Sequence, residues 1–414
     1  MNYLPAFPPH ITPLIAFGAL LLVGALGGYL AHRLSWLPSI TGFIAVGFIF
    51  GPGGIGLLGA ETIAQSRIFV DIALSLILYR LGLSLDIRMI RRKPSIFAAS
   101  LLESAATFGL VFHVLRLFGV SAMPSMLIAA MAISSSPAVL LHVAHEVGAK
   151  GPLTEATKTL VALNNVISFV VFSALLPFLL YETNSRWTMI LFQPFYSFVG
   201  SMILGVALAF GLHLIALKTH EAAQYKLALV IGAIMLMTGL AAELKLSVLF
   251  VPLAAGVTIK NLEKKTVISD LEFGEAFELF FIILFVFAGA GLHLHELVAY
   301  APAVLAVVSA RILMKFLSVA AIFSIAGEPI KKGIAGGLLL LPMAGLAIGL
   351  VQASNALFPQ HAAVISAIVL GAVTIFETVG PPVASLAFRV AGESAAQQDA
   401  EVRTVDMPLE TNPE

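Results

Sequence analysis

The sequence predicts an all-α protein that crosses a lipid bilayer many times. Hydrophobic residues make up 59% of the 414 positions and charged residues only 11%, so too few polar side chains remain to cover a soluble domain. The mean hydropathy of +1.00 agrees with this conclusion. The apolar residues also collect in runs that are long enough to cross about 30 Å of hydrocarbon as helices.

Thirteen runs have this character, which predicts about 13 transmembrane helices. They lie near residues 11–32, 37–59, 68–87, 95–117, 124–147, 157–181, 190–217, 225–244, 246–261, 275–293, 299–325, 333–357 and 361–388. The connections between them are short, so we expect one transmembrane domain, residues 1–390. Residues 391–414 are polar in composition and predict a disordered cytoplasmic tail.

The positions of the basic residues predict the orientation of the chain. Lys and Arg cluster at 88–93, 150–158, 218–226, 260–265 and 331–332, and these clusters fall in alternate loops. By the positive-inside rule those loops lie in the cytoplasm, which puts the N-terminus outside the cell (inner) membrane and the C-terminus inside. An odd number of spans agrees with this orientation.

Polar and helix-breaking residues occur inside apolar runs between positions 131 and 170. The serines Ser134–Ser136 stand before Pro137, which lacks a backbone donor and clashes with the preceding turn. In hydrocarbon an unpaired backbone amide costs several kcal/mol, so such a break is tolerated only where it faces protein, water or a bound ion. Interrupted helices with opposed half-helix dipoles recur at the substrate sites of secondary transporters. Asn164 and Asn165 lie inside the next run.

The regions 95–181 and 299–388 follow one plan. Each has a helix with a charge, a helix interrupted at its middle by proline, and a helix with polar residues halfway. In the second copy the interruption is Leu341–Gly345, around Pro342. Three spans in each copy give the copies opposite orientations, so the sequence predicts an inverted repeat whose two broken helices cross. The remaining spans are then expected to form a dimerisation scaffold.

Several motifs resemble those of one transporter family. The segment GFIAVGFIFGPGGIGLL of this chain is similar to the glycine signature in the family's second span. LYRLGLSLD is similar to the end of the family's third span, and SSSPAVLLHVAHEVG is similar to the family's broken helix. The segment that supplies its core basic residue is similar to GLHLHEL and the following ARILMKF. This family is the monovalent cation:proton antiporters, in the branch with Kef-type potassium efflux systems and Nap/Nha-type sodium antiporters. The resemblance covers the membrane part and implies exchange of Na⁺ or K⁺ for protons by alternating access, in a homodimer.

The chain departs from the family's pattern at Asn164 and Asn165. The family usually has Asp-Asp or Asn-Asp there, and its aspartate binds a proton and a cation in turn. An asparagine side chain does not titrate, so proton coupling at this position is excluded in its usual form. Two amide oxygens can still coordinate a dehydrated Na⁺ or K⁺. The alternative role for both amides is a structural network that satisfies the broken backbone.

Two basic residues and the serines are further candidates for ion or substrate contact. By the resemblance, Lys315 aligns with the family's core lysine and Arg311 with the arginine of related electroneutral exchangers. The alternative for Arg311 is a structural anchor that pairs with a carboxylate. Ser135 and Ser136 offer hydroxyl or carbonyl oxygens as ion ligands, and their alternative role is close helix packing through small side chains.

Two carboxylates, Glu103 and Glu377, lie deep in apolar runs, where an unpaired charge is costly. Two acidic and two basic groups at similar depth balance in number. The sequence therefore predicts that Glu103 or Glu377 pairs with Arg311 or Lys315, and that this pair couples protons to transport. The alternative is a static ion pair.

Composition and motifs argue against several classes of function. A formal net charge of zero disfavours nucleic acid as a partner, and the lack of cysteine excludes thiolate metal sites. The sequence shows no nucleophile motif, phosphate loop or metal-ligand spacing, so we expect neither an enzyme nor a cofactor besides the transported ions. Two alternatives to a cation antiporter stay open: an anion or carboxylate carrier on the same fold, and a non-transporting regulatory membrane subunit.

Overall fold

The computed structural model describes residues 13–33, 39–56, 67–92, 94–180, 187–218, 225–263, 274–291, 294–325, 327–343 and 345–394. Within these ranges the chain consists of helices, turns and short connections, without a β-strand. This confirms the predicted all-α class. Residues 395–414, which make up most of the predicted tail, lie outside the described residues.

The described residues form helices along the whole chain. The first part contains α1 (Pro13–Arg33), α2 (Ser39–Phe50), α3 (Arg67–Leu83), α4 (Ile87–Arg92), α5 (Pro94–Leu117), α6 (Ala122–Ala132), α7 (Pro137–Glu146) and α8 (Pro152–Leu180). The second part contains α9 (Trp187–Lys218), α10 (Lys226–Glu243), α11 (Phe250–Leu262), α12 (Gly274–Ala290), α13 (Leu294–Ala299), α14 (Ala301–Ile325), α15 (Ile330–Leu339), α16 (Gly345–Leu357) and α17 (Ala362–Val390). A 3₁₀ turn, Pro359–His361, leads into α17.

The helices match the predicted apolar runs. Each predicted run carries one helix or, at 124–147 and 333–357, two helices separated by a break. The short helices α4 and α13 lie between runs. In the described part of the chain, six helices are individually long and apolar enough to cross a membrane. The chain is therefore an all-α membrane protein with several spans.

Buried apolar side chains join the two predicted repeat units. One cluster contains Leu140 of α7, Leu160 of α8, Leu339 of α15 and Phe388 of α17. A separate cluster joins α3, α9, α10 and α11. The half-helices α6 and α7 pack on α5, α8 and α17, while α15 and α16 pack on α14 and α17. The two interrupted helices are thus enclosed by the other helices of both units.

Glycines allow close helix approach at several places, which include the contacts of α3 with α11 and of α14 with α15. A Cβ at Gly256 of α11 would overlap the carbonyl oxygen of Tyr79 on α3. A Cβ at Gly337 of α15 would lie 2.9 Å from the carbonyl oxygen of Lys315 on α14. Such contacts leave no room for a side chain, so these helices pack backbone against backbone. The second contact places α15 directly beside the basic residues of α14.

The residues after α17 pack on the start of α8. Glu393 is 6% exposed. Its carboxylate accepts hydrogen bonds from the backbone N–H groups of Leu153 and Thr154, both at 2.8 Å, and from the Thr154 hydroxyl at 2.6 Å. Because the first N–H groups of a helix are unpaired and carry partial positive charge, this carboxylate caps α8. The predicted disordered tail therefore starts with a packed segment, residues 391–394.

Candidate functional site

Two helices are interrupted in the middle of the predicted repeat units. The gap between α6 and α7 holds residues 133–136, and Pro137 opens α7. Ser136 has an extended backbone, with φ −83° and ψ 109°, because a residue before proline is sterically disfavoured in the helical region. The gap between α15 and α16 contains Pro342, and Gly345 opens α16. Both predicted breaks are present.

The interrupted segments contact each other through hydrogen bonds. The backbone N–H of Ser136 donates to the carbonyl oxygen of Pro342 at 2.7 Å. The Ser135 hydroxyl donates to the carbonyl oxygen of Leu340 at 2.8 Å. Both serines are only 2% exposed. Because both serines are buried, these bonds satisfy backbone groups that the helix breaks leave unpaired.

The guanidinium of Arg311, on α14, binds the carbonyl ends of both broken helices. It donates to four carbonyl oxygens, those of Ala132 at 2.9 Å, Ser134 at 2.6 Å, Leu340 at 3.2 Å and Leu341. Its central carbon lies 4.5 Å from the centroid of the Phe376 ring. Helix C-termini carry unpaired carbonyl groups and partial negative charge, so they stabilise a fully buried arginine. Arg311 is thus an anchor, and its partners are carbonyl oxygens and a ring instead of the expected carboxylate.

One turn further along α14, Lys315 forms a buried ion pair with Glu103 of α5. The Lys315 Nζ and Glu103 Oε1 atoms are 3.0 Å apart, and the two side chains are 0% and 1% exposed. The same Nζ donates to the carbonyl oxygen of Ile133 at 2.9 Å, and Oε1 also accepts the Thr107 hydroxyl at 2.7 Å. The predicted pairing of an intramembrane carboxylate with a basic residue is confirmed for Glu103 and Lys315.

Asn164 connects this pair to α8. Its Nδ2 donates to Glu103 Oε2 at 2.7 Å, and its Oδ1 accepts the Ser100 hydroxyl at 2.5 Å. Glu103 therefore accepts hydrogen bonds from groups on three helices, namely α5, α8 and α14. Such a shell holds the carboxylate in place and compensates its charge.

Asn165 contacts the broken helix instead of the ion pair. Its Oδ1 accepts the backbone N–H of Ser135 at 3.0 Å, and its Nδ2 donates to the carbonyl oxygen of Ser135 at 2.7 Å. Both residues are buried, Asn165 at 0% exposed. An aspartate could not make the second of these bonds, because a carboxylate has no donor. The amide at this position therefore fits a structural role, one of the two alternatives that the sequence left open.

Glu377 lies apart from these contacts. Its side chain is 1% exposed, and among the described residues its buried Oε1 has no hydrogen-bond partner. The ion pairs between described residues do not include it. The structure therefore does not pair Glu377 with Arg311 or Lys315, although all three belong to the same helix bundle. Gly380, one turn later, packs on Pro342, where an added Cβ would lie 3.0 Å from the ring.

Three residues of the site were not among the predicted candidates. Ser100 and Thr107 lie three positions before and four after Glu103, so all three side chains share one face of α5. This polar stripe in an apolar run was a signal that sequence reasoning could have used. Phe376 gives no comparable signal, because an aromatic residue is common in an apolar span.

Comparisons with known proteins agree with this geometry. A family model described as "Sodium/hydrogen exchanger, transmembrane" matches residues 18–385. The structure of the sodium proton antiporter MjNhaP1 from Methanocaldococcus jannaschii at pH 8 matches with a TM-score of 0.66 and 17% identity, covering 95% of this chain and 98% of its own. A second structure of that antiporter, from a 3D EM map, has a TM-score of 0.64, 17% identity and coverage of 97% and 99%. A search of curated protein sequences found no match.

The fold and the site define a multi-pass membrane transporter built around two interrupted helices, and not an enzyme. Because the family model spans most of its length, the chain belongs to the sodium/hydrogen exchanger transmembrane family. It is a cation:proton antiporter-like protein that binds cations and protons. At 17% identity the solved structures show the shared fold alone.

Proposed function

We propose that this chain exchanges a monovalent cation, Na⁺ or K⁺, for a proton at the Glu103–Lys315 pair. The observation that carries this proposal is the buried ion pair itself, 3.0 Å long and bonded to Asn164 through the second carboxylate oxygen. Asn165, at the family's usual aspartate position, is engaged with the backbone of Ser135 and cannot titrate. The coupling carboxylate is then Glu103.

Exchange at this pair conserves charge. In the conformation described, the Glu103 carboxylate and the Lys315 ammonium neutralise each other. A cation that enters takes the place of the ammonium beside Glu103, and Lys315 releases a proton to the water on the side to which the site is open. The charges of the Glu103 carboxylate, the bound cation and the neutral Lys315 amine again sum to zero. One cation is thus exchanged for one proton, and the cycle is electroneutral.

Neighbouring oxygens complete a site of the required chemistry. The amide oxygen of Asn164 and the hydroxyls of Ser100 and Thr107 lie within one hydrogen bond of Glu103 or its partners. Such neutral and charged oxygens are the ligands that hard cations prefer. The three residues come from α5 and α8, so relative movement of these helices opens or closes the site.

The contacts of Arg311 argue against the anion carrier. An anion site needs a cationic group with free donors, but Arg311 already donates to four carbonyl oxygens. Lys315 is likewise engaged with Glu103 and Ile133. Flux measurements distinguish the proposed antiporter from a non-transporting regulatory subunit, because the subunit would give no flux.

The proposal extends to the finer architecture. In this architecture the chain has 13 spans within residues 1–390, and the interrupted helices of an inverted repeat cross near the middle of the bilayer. Supporting it, α5 to α8 and α14 to α17 follow one another in the same order of continuous, interrupted and continuous helices. The distribution of basic loops supports an N-terminus outside an inner cell membrane and a cytoplasmic C-terminus.

A homodimer formed through the remaining helices is also proposed. Large apolar side chains on α1 and α9 are exposed in the single chain, for example Leu22 at 71% and Ile203 at 64%. In a membrane protein such faces are covered by lipid or by a second copy, and the family resemblance favours a second copy.

Cation-induced dequenching of a pH-sensitive dye in proteoliposomes tests the exchange. We expect dequenching with Na⁺ or K⁺, compared across Na⁺, K⁺ and Li⁺, and no membrane current because the cycle is electroneutral. Glu103→Gln should abolish it. Glu243→Gln, at an exposed carboxylate on α10, is the matched control and should behave as wild type.

Two results would contradict the proposal. If Glu103→Gln is folded and exchanges cations at the wild-type rate, this carboxylate does not couple transport. If the wild-type protein gives no flux with any of the three cations but co-purifies with a stable partner, the regulatory alternative is correct instead.

A further inference from the structure

Glu377 occupies the middle of α17 as a buried carboxyl that the exchange mechanism does not use. It is 1% exposed, and its Oε1 has no hydrogen-bond partner among the residues that the structure describes. The adjacent Phe376 supports the guanidinium of Arg311, and Gly380 packs against Pro342. Glu377 therefore lies beside the two interrupted segments without bonding to them.

Among the side chains that the structure describes, the charged groups on the helices around α17 do not compensate Glu377. Arg311 and Lys315, on α14, are engaged with carbonyl oxygens and with Glu103. No charged residue occurs in α2, α6, α16 or the interrupted segments. The remaining titratable residues on elements packed with α17 lie toward helix ends or on a short helix: His142, His145 and Glu146 on α7, His295 and Glu296 on α13, Lys331 and Lys332 on α15, His361 before α17 and Arg389 on α17.

Two prolines weaken α17 at the same point. Pro381 and Pro382 lie inside the helix, and proline has no backbone N–H. In a regular helix these two N–H groups would donate to the carbonyl oxygens of Glu377 and Thr378. Since both carbonyls lack these donors, the helix bends or admits water most easily at Glu377.

We propose that Glu377 is a second proton-binding group of the transporter, separate from the Glu103–Lys315 pair. An unpaired carboxylate away from water carries a free-energy cost that the neutral acid largely avoids. Glu377 therefore holds its proton in the conformation described. When the interrupted segments move and water reaches the proline-weakened turn, the carboxyl releases this proton to that water, and it takes a proton up again before the site closes.

This inference rests on the proposed antiport and deepens it, because it adds a second protonation step to the cycle. Glu377 releases and regains its proton on the same side of the membrane, so the exchange remains one cation for one proton. The substitution Glu377→Gln is the sharpest test, since glutamine is neutral like the protonated acid and has nearly the same shape. We expect the variant to fold and to keep exchanging cations. The apparent number of protons in the pH dependence of exchange should fall by about one relative to wild type.

Infrared spectroscopy of the purified protein gives an independent readout. A protonated carboxylic acid has a C=O stretch separate from the amide bands. Near neutral pH this band should be present in wild type and in Glu103→Gln, and it should be lost or reduced in Glu377→Gln. A wild-type spectrum without such a band overturns the proposal, even if Glu377→Gln fails to fold.

The two variants distinguish failure of this inference from failure of the proposed exchange. If Glu103→Gln is inactive while Glu377→Gln has the pH dependence of wild type, the second proton site is refuted and the exchange at Glu103 stands. If Glu103→Gln retains wild-type exchange, the proposed function fails whatever Glu377→Gln shows.

Discussion

The substitution Glu103→Gln removes the negative charge of the buried pair and can leave its hydrogen bonds in place. Glutamine keeps one oxygen to accept from Lys315 and Thr107, and its new NH₂ group replaces the oxygen that faces Asn164. If the Asn164 amide turns over, its oxygen accepts from that NH₂ group, and its nitrogen donates to the Ser100 hydroxyl. The hydroxyl can accept as well as donate. The variant therefore isolates the electrostatic part of the interaction.

The expected magnitude follows from burial. Lys315 is 0% exposed and Glu103 1% exposed, so the charge left behind cannot be solvated by water. Removing one partner of such a pair typically destabilises a protein by about 3 to 5 kcal/mol, whereas replacing both by neutral groups is often close to neutral. We expect Glu103→Gln and Lys315→Met each to lower the free energy of unfolding by about 3 kcal/mol or more. The double variant should be more stable than either single variant.

Equilibrium unfolding in mixed lipid–detergent micelles measures these differences for wild type, both single variants and the double variant. The exposed pair Lys158–Glu155, at 2.7 Å with side chains 37% and 61% exposed, provides a control whose loss should cost about 1 kcal/mol or less. If the single variants at the buried pair cost no more than that control, Glu103 and Lys315 are solvated and burial does not set the cost of separating them. Transport should be absent from the double variant even where folding is recovered.

Three further substitutions test the remaining contacts. Asn165→Asp loses the donor to the Ser135 carbonyl and buries a charge. We therefore expect its free energy of unfolding to fall by about 3 kcal/mol or more near neutral pH without alkali cations. We also expect a change in ion preference or in the pH profile of exchange. Arg311→Lys cannot reach all four carbonyl oxygens, and unfolding measurements should show a loss of about 2 kcal/mol or more. Glu393→Gln keeps one acceptor but removes the charge from the α8 N-terminus, and it should cost about 1 kcal/mol in the same assay.

Controls and contrary outcomes distinguish these predictions from nonspecific effects of substitution. Asn165→Ala loses the same bonds without adding charge, so its stability should not respond to Na⁺ or K⁺. If the stability of Asn165→Asp also does not respond to these cations and its transport profile is that of wild type, residue 165 is not on the ion path. For Arg311→Lys, unchanged stability would mean that the carbonyl contacts contribute nothing. For Glu393→Gln, the control is Glu243→Gln, because Glu243 is exposed and lies at the C-terminal end of α10, where a carboxylate caps no N–H groups; this control should be neutral.

The sequence was sufficient for those features that depend on residue type and local order. Pro137 follows three serines and Pro342 stands shortly before Gly345, and these local combinations predicted both breaks. Proline alone is a weaker signal, because Pro381 and Pro382 lie inside α17. The pairing of Glu103 followed from the cost of an isolated charge among apolar residues, although the sequence did not decide between two acids and two bases. The structure makes that choice through helix packing, which brings α5 to Lys315 and leaves Glu377 to one side.

Other features depend on geometry that no local pattern contains. Asn165 meets the backbone of Ser135 through a tertiary contact between α8 and the α6–α7 gap, and an asparagine in a span is equally compatible with an ion ligand. Arg311 finds carbonyl oxygens because two helix ends converge on it from different parts of the chain. Glu393 lies in a polar segment whose composition resembles disorder, and only its distant helix partner gives it a fixed place.

The capping of α8 by Glu393 joins residues 239 positions apart in the sequence. The Glu103–Lys315 pair and the contact from Ser135 to Leu340 span 212 and 205 positions. Since a chain is synthesised from its N-terminus, α5 to α8 enter the membrane before any of these partners exists. The first repeat unit therefore carries an unpaired carboxylate until Lys315 is made and an uncapped helix until Glu393 is made. A chain that stops before residue 393 lacks the carboxylate that caps α8, and the first N–H groups of this helix stay unpaired.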